Sequence, residues 1–305
     1  MSFTVIETIE KALRIIGVLD SAQPLQSRDR TTALEALNSM AHHWQTQYGH
    51  LWLQGYGIIL CEKDKQIYEL GTGGDRFIKR SDLYYPTLSS AAASADTVIT
   101  VTSATGLNAD DVIGIYLDNG TFHWTTIDSL SGADITLTDA MPSAAASGNQ
   151  VYVYTSVESR PLKIDFATYA VDINGSEIPL IKQGRNQYFE QPQKNTSGNV
   201  TQFYFQPTRG LAQLSVWPTS DTNLGVLRVS YVEPFIELVN NDDVLNFPDE
   251  WELAVNYGLA TALMSEYGVP NDIQASIQAK MDRYLADNLA FDNENADLMI
   301  ELDRQ

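Results

Sequence analysis

Apolar residues recur at three- and four-residue spacing near the two ends of the chain, and in alternating or short β-branched runs between them. From Phe3 to Ile16, Val5, Ile6, Ile9, Ala12, Leu13 and Ile16 share one helical face while Glu7, Glu10, Lys11 and Arg14 point away. Gly17 ends that helix. Ser27 is placed to cap a second one, whose stripe is Ala33, Leu34, Leu37, Met40, Ala41 and Trp44 and whose end is Tyr48-Gly49. Far along the chain, Phe247 to Pro270 carries a helix with both ends written in. Pro248 suits its first position, Asp249 and Glu250 complement the positive end of the helix dipole, Gly268 suits a left-handed C-cap and Pro270 forbids continuation. Its stripe is Trp251, Ala254, Val255, Gly258, Leu259, Ala262 and Leu263, with small residues at the middle where another backbone could approach. Asn271 then caps a last long helix with Ile273, Ile277, Met281, Tyr284, Leu285 and Leu289 on one face.

Between these ends the period becomes strand-like. Tyr56 to Leu60 and Gln66 to Leu70 flank the charged Glu62-Lys63-Asp64-Lys65 and read as a hairpin. Further strands are predicted at Lys163 to Tyr169, Ile178 to Ile181, Gln202 to Phe205, Gln213 to Trp217 and Gly225 to Tyr231, with Pro207 and Pro218 closing strands they could not occupy. Arg185 to Gln193 reads as a polar, partly helical connection. Pro86 to Thr155 stands apart: it holds Asp96, Asp110, Asp111, Asp118, Asp128, Asp134 and Asp139 but no Lys or Arg, and the Ala/Ser-rich stretches SSAAAS and PSAAASG read as its bracketing linkers. Its short runs, Thr97 to Val101, Val112 to Leu117, Phe122 to Ile127, Ile135 to Leu137 and Val151 to Tyr154, predict a small antiparallel sandwich or barrel. The expected fold class is therefore α+β: a helical domain built from both chain ends, and a central antiparallel β-domain carrying an inserted β-sandwich or barrel.

Charge narrows the possible partners. Nineteen Lys and Arg against 39 Asp and Glu give the 305 residues a formal charge of −20, which repels nucleic-acid phosphates and anionic membranes. Cys61 is the sole cysteine, so no intrachain disulfide forms. The opening SFTVIETIEKALRII lacks a cationic stretch followed by an apolar run, and no apolar run of about 18 residues occurs, so neither export nor membrane insertion is expected.

Catalytic, metal-binding and cofactor-binding signals are weak. His42 and His43 are adjacent, pointing about 100° apart on a helix, and cannot chelate one ion; one is expected in solvent and the other near Trp44. Gly71-Thr72-Gly73-Gly74 lacks the Lys-Ser/Thr pair of a phosphate cradle and is followed by Asp75, so it reads as turn chemistry. The insertion's aspartates lack the spacing of a calcium loop and sit where turns favour Asp. No catalytic, metal or cofactor residue is assigned. Past Phe291 the chain turns acidic, DNENADLMIELDRQ, yet Leu298, Met299, Ile300 and Leu302 form an apolar cluster of the kind that orders on a partner.

Several phrases together resemble the head-to-tail adaptor family of short-tailed bacteriophages, also described as connector or packaged-DNA-stabilisation proteins. They are ALRIIGVLDS with Pro24, LEALNSMAHHWQTQYGHLW, IYELGTGGD, RPLKIDFATY, IPLIKQGRNQYF, LSVWP and DEWELAVNYGLATALMSEYGVP. The resemblance covers nearly all of the chain except Pro86 to Thr155. It implies a homo-oligomeric ring, commonly a dodecamer, docked beneath the portal protein. Such a ring extends the DNA channel, helps retain packaged DNA and receives the tail nozzle or tube below. Family members characteristically send their C-terminal segment up into portal subunits.

Under that resemblance the expected layout is 1–55 and 241–290 as the helical ring domain, 56–85 and 156–240 as the β-domain, 86–155 as the insertion and 291–305 as a portal-contacting tail. Leu13, Leu37, Trp44, Trp251, Val255, Leu259 and Leu263 are expected in the ring's helical core, and Leu298, Met299, Ile300 and Leu302 at the portal. DNA is expected only to pass through, since an acidic lining offers no cationic grip; no membrane or cofactor is expected. The insertion would lie outside the ring, supporting tail fibres or bracing the neighbouring subunit. Two rival readings come from other classes: a tail-associated glycosidase using Asp242 and Glu250, and a sugar-binding β-module using Tyr116, Trp124 and Tyr152.

Overall fold

The structure, a computed structural model, describes residues 3–20, 23–47 and 53–291. In chain order its elements are α1 (Val5–Ile15), α2 (Ser27–Gln47), β1 (Gln54–Leu60), β2 (Ile67–Leu70), β3 (Phe77–Lys79), β4 (Val98–Thr100), β5 (Val112–Tyr116), β6 (Phe122–Ser131), β7 (Asp134–Leu137) and β8 (Val151–Tyr154). There follow β9 (Lys163–Ala170), β10 (Ile178–Pro179), β11 (Ile181–Lys182), α3 (Arg185–Phe189), β12 (Ser197–Gly198), β13 (Gln202–Gln206), β14 (Ala212–Trp217), β15 (Thr219–Ser220), β16 (Val226–Val232), α4 (Glu252–Leu263) and α5 (Asn271–Phe291). The fold is α+β. Two compact units divide it: Gly55–Glu233, and the residues on either side, up to Gln54 and from Pro234. The helical unit is thus built from both ends of the chain, with the sheet-forming residues looped out between them.

In the helical unit, α1 begins at a reciprocal cap. Thr4 Oγ1 accepts from the Glu7 amide (3.4 Å) while Glu7 Oε2 accepts from the Thr4 amide (3.2 Å), satisfying two donors that the first turn leaves free. The apolar faces of α1, α2 and α4 meet in one core with Trp251 fully buried and its ring 6.1 Å from that of Trp44. Gly258 explains how closely α4 and α2 approach: a Cβ there would stand 2.7 Å from Trp44 and 2.8 Å from Met40. A side chain, rather than the backbone expected from the sequence, fills the space over this small residue. A 3-10 turn, Asp249–Trp251, precedes α4, and Pro248 stands one place before it. The helix ends at Leu263, a turn earlier than Gly268 suggests. Gly268 still adopts the left-handed φ of 62°, while the Val269 amide reaches back to the Met264 carbonyl (3.1 Å).

Gly55–Glu233 contains two facing sheets with one core between them. Their orders are β10-β9-β16-β1-β3 and β11-β13-β14-β2, mostly antiparallel, with one short parallel pairing of β11 with β13, and β12 and β15 form a separate two-stranded parallel pair. The expected hairpin of β1 and β2 does not form. β1 pairs with β3 and β2 pairs with β14, so the charged stretch 62–65 turns a corner from one sheet to the other. Both strands carry apolar residues that must reach the same core, and facing sheets satisfy that requirement as well as a hairpin does. Lys65 secures the corner by bonding Asp75 (2.5 Å), and Asp75 also accepts from the Glu69 amide (2.7 Å). This fills the glycine loop from within as a turn.

Cys61 and Tyr68 lie buried in that core, with the Tyr68 hydroxyl accepting from the Glu62 amide (3.2 Å). Burial pushes the Cys61 thiol from its ordinary 9.0 up to about 12 and drives the Tyr68 phenol upward as well. Because the thiolate is the reactive form, a disulfide reagent at about pH 8 should modify Cys61 at least ~100-fold more slowly in native than in urea-unfolded protein. Equal rates would refute this burial. The sign of the linkage follows: the folded state holds its proton longer, so this contribution to stability is intact below pH 9.0 and is lost as pH rises from there through about 12.

The insertion closes on itself. Its sheet order is β4-β7-β6-β5-β8, and the segment before β4 bridges both edges through Tyr84 to Val153, Thr87 to Gln150 and Leu88 to Val101. A separate apolar core fills it, including Ile99, Ile113, Ile127, Ile135 and Val151. The Ala/Ser-rich stretches are not linkers. Ala92 and Ala145 exchange both backbone hydrogen bonds at 2.9 Å and are buried, their small side chains allowing these two segments to lie together inside the barrel.

Candidate functional site

The seven residues expected at the helical core, Leu13, Leu37, Trp44, Trp251, Val255, Leu259 and Leu263, are brought together in one buried cluster. The four expected portal contacts, Leu298, Met299, Ile300 and Leu302, lie outside the described residues. The segment 234–246, between β16 and α4, which the expected layout divides at residue 240 between the β-domain and the helical domain, lies wholly in the helical unit. It runs extended across α1 and α2. The Phe235 amide donates to Gln45 Oε1 (2.7 Å), the Leu238 amide to Asn38 Oδ1 (3.0 Å), and the Val5 and Ile6 amides donate to the Asp243 and Asn241 carbonyls (3.0 and 3.1 Å). Asp243 braces its turn by accepting from the Asn240 and Val239 amides (2.7 and 2.8 Å), and these bonds hold its carboxyl below the usual range.

Phe235 and Leu238 face inward from this segment, whereas Ile236 and Val239 are 69% and 64% exposed and Val244 is exposed with them. These exposed aliphatic side chains stand on a backbone pinned by side-chain and main-chain bonds. The available sequence signal was the stretch PFIELV, whose four large apolar side chains around Glu237 are more than one inward face can use.

In Gly55–Glu233 the aromatic residues of the insertion have a structural task. Phe122 stacks on Trp124 and on Tyr152, both with centroids 5.4 Å apart, and Tyr116 lies 5.2 Å from Phe122. Buried Tyr152 and Tyr154 share a core with Ile58, Leu60, Ile78 and Val226 of the first sheet, so the insertion's aromatic face is seated on the β-domain. The Arg76 guanidinium lies 3.9 Å from the Trp124 ring centroid and bonds Glu62 at 3.3 Å. Tyr152 is buried and Trp124 is covered by Arg76, so these rings do not offer an open stacking platform for a sugar.

Beyond the seated insertion, the same face of the first sheet leaves an open cavity of about 380 Å3, bordered by exposed Tyr56 and Phe166 with Arg80, Thr168, Glu177 and Arg228. Its one carboxylate is already engaged: Glu177 pairs with Arg228 (2.7 Å) and accepts from the Thr168 hydroxyl (2.8 Å). Asp242 and Glu250 are both exposed, and neither lies in the apolar enclosure that a glycosidase acid requires. His42 and His43 are exposed too. His42 meets Phe235 edge-on at 6.1 Å, and neither ring packs near Trp44 as expected, because that core position is filled by Phe247 and Trp251. Among the described residues no group of three or more His, Cys, Asp or Glu is arranged to hold a metal ion, and no helix is long and apolar enough to cross a membrane.

No protein-family model matches the sequence. No curated protein matches it either. Among solved structures, the Gp54 tailspike of Acinetobacter baumannii bacteriophage AP22, in complex with A. baumannii capsular saccharide, aligns over 26% of this chain and 16% of its own length, at 13% identity and a TM-score of 0.22. VP17, a capsid protein of bacteriophage P23-77, aligns over 60% of this chain and 75% of its own at 12% identity and a TM-score of 0.12. The VP16-VP17 complex of the same phage aligns over 61% and 77% at 14% identity and a TM-score of 0.12. Scores this low establish no shared fold.

Proposed function

We propose that this chain is a structural protein of a bacteriophage virion and serves there as a head-to-tail adaptor. Copies of it form a ring beneath the portal protein, extend the DNA channel, help retain the packaged genome and present a surface to the tail nozzle or tube. The observation that carries this reading is the construction of one helical unit from both chain ends, with sheets looped out between. The phrases ALRIIGVLDS, LEALNSMAHHWQTQYGHLW and DEWELAVNYGLATALMSEYGVP, which resemble the adaptor family, are the ones that build that unit's helices α1, α2 and α4.

Two further properties support it. A ring of identical subunits needs two different faces on each copy, and a chain with helical and sheet units has chemically distinct surfaces to supply them. The formal charge of −20 lets DNA slide past without a cationic grip.

Native mass measurement of the purified chain, alone and with the portal protein, tests the proposal. A closed ring of defined subunit number, formed alone or on the portal, is expected. No ring and no portal binding would overturn it. So would polysaccharide hydrolysis that is abolished by Glu250→Gln in a folded protein.

A further inference from the structure

Charge is unevenly distributed along this acidic chain. Residues 178–219 contain Lys182, Arg185, Lys194 and Arg209 against Glu190 alone, a net of +3, leaving −23 for the remainder of a chain whose total is −20. The insertion is the opposite extreme, with seven aspartates and no Lys or Arg over residues 86–155.

Pairing sharpens the contrast. Lys11, Arg14, Lys65, Arg76, Lys79, Lys163, Arg228 and Arg283 each meet a carboxylate within the chain. Among the described residues, Lys182, Arg185, Lys194 and Arg209 form no ion pair within 4 Å, as is also true of Arg80, Arg160 and Lys280, but at 182–209 such cations cluster with Glu190 as the one acid among them. Two of these cations frame an exposed aromatic knob. Phe189, 55% exposed, has Arg185 and Lys194 each 5.8 Å from its ring centroid. The knob is held firmly: Tyr188 stacks on Tyr204 at 5.5 Å and its hydroxyl accepts from Gln66 Nε2 (2.6 Å), while the Lys194 ammonium donates to the Phe189 and Gln191 carbonyls (3.0 and 3.1 Å). An anchored aromatic beside an arginine is the composition of an interface centre, and the neighbouring lysine adds positive charge to it.

The complementary surface lies on the insertion. Asp110 and Asp128 are exposed, and the Asp110 amide donates to the Ile127 carbonyl (2.8 Å), which sets these two residues beside each other. Neither carboxylate has a hydrogen-bonding or ionic partner among the described residues, unlike Asp111, Asp118, Asp134 and Asp139, each of which accepts a local hydrogen bond.

We propose that the α3 surface around Arg185, Phe189 and Lys194 docks the acidic insertion of a second copy of this chain, against Asp110 and Asp128. Such a contact is heterologous, one patch meeting a different patch on the next copy, and contacts of this class build a ring where the rotation between copies closes. The inference rests on the adaptor reading for its ring, but its residues can fail independently.

The test is sedimentation velocity of the full chain, alone and with the portal protein, at low and raised salt. Assembly should weaken with salt. Arg185→Glu with Lys194→Glu should lower the association constant at least ~10-fold, as should Asp110→Lys with Asp128→Lys, because each sets like charges against one another. Combining all four should restore association to within ~3-fold of the original. Recovery also shows that the reversed chains fold.

Assembly unchanged by Arg185→Glu with Lys194→Glu, or no recovery in the combined variant, overturns this contact while the adaptor reading stands. A chain that stays monomeric alone and with the portal overturns both. Double-stranded DNA binding that is lost on reversing Arg185 and Lys194, with assembly unchanged, would assign the patch to nucleic acid and overturn the proposal.

Discussion

Trp251→Ala should loosen the whole helical unit, not α4 alone. The indole is completely buried, packs against Trp44 and Phe247 at centroid distances of 6.1 and 6.4 Å, and is the largest fully buried side chain among the described residues. Removing it leaves a cavity that neighbouring rings cannot all move to fill, at a cost of about 3–5 kcal/mol. Because the chain has two units, a single melting temperature would blend two transitions, and amide exchange reads each separately. Protection in α1, α2 and α4 should fall together by roughly two to three and a half orders of magnitude, with β9, β14 and β16 unaffected. Loss confined to α4 would show that residues 5–47 do not depend on it and would break the claim that both ends make one unit.

Gly114→Val should disturb the seat of the insertion. Gly114 lies in β5 directly opposite Trp124 of β6 and Tyr152 of β8, and a Cβ there would come within 2.3–2.5 Å of the Trp124 ring. Any side chain at this position must push the indole out from beneath Arg76. Overpacking of this kind costs about 1–3 kcal/mol, and the added β-propensity of valine does not offset it. The Trp124 signal in fluorescence or NMR should shift, and Gly114→Ala should show a smaller version of the same change. A valine variant within about 0.5 kcal/mol of the parent, with Trp124 undisturbed, would contradict the packing described for this face.

The sequence revealed periodicity well and pairing poorly. Trp251, Val255, Leu259 and Leu263 announce a helix because 3.6-residue spacing is a local property, and strands such as β9, β13 and β14 were visible from alternation and flanking Pro. Partner choice is not local. Tyr56–Leu60 and Gln66–Leu70 fit a hairpin by every short-range rule, yet each joins a different sheet through residues more than a hundred positions away in β14 and β16. The Ala/Ser stretches misled for a related reason: small residues mark flexible linkers and also tight backbone approach, and only the bonds between Ala92 and Ala145 distinguish the two.

Surfaces were harder still. The extended segment 234–246 has no period, so its exposed Ile236 and Val239 could not be separated from its buried Phe235 and Leu238 by spacing. The sequence shows Arg185 to Gln193 only as a polar, partly helical connection, and the grouping of Arg185 and Lys194 around Phe189 emerges only from the fold. The insertion's Tyr152 and Trp124, offered by the sequence as a sugar platform, are packed at the seat on the β-domain.

The most direct test of the account is to find where the chain resides in its particle. Electron microscopy of virions carrying a labelled copy should place the label at the neck, between the portal and the tail nozzle, in a ring around the channel axis. Label at the capsid shell or at the tips of tail fibres, or particles that contain none of the chain, would contradict it.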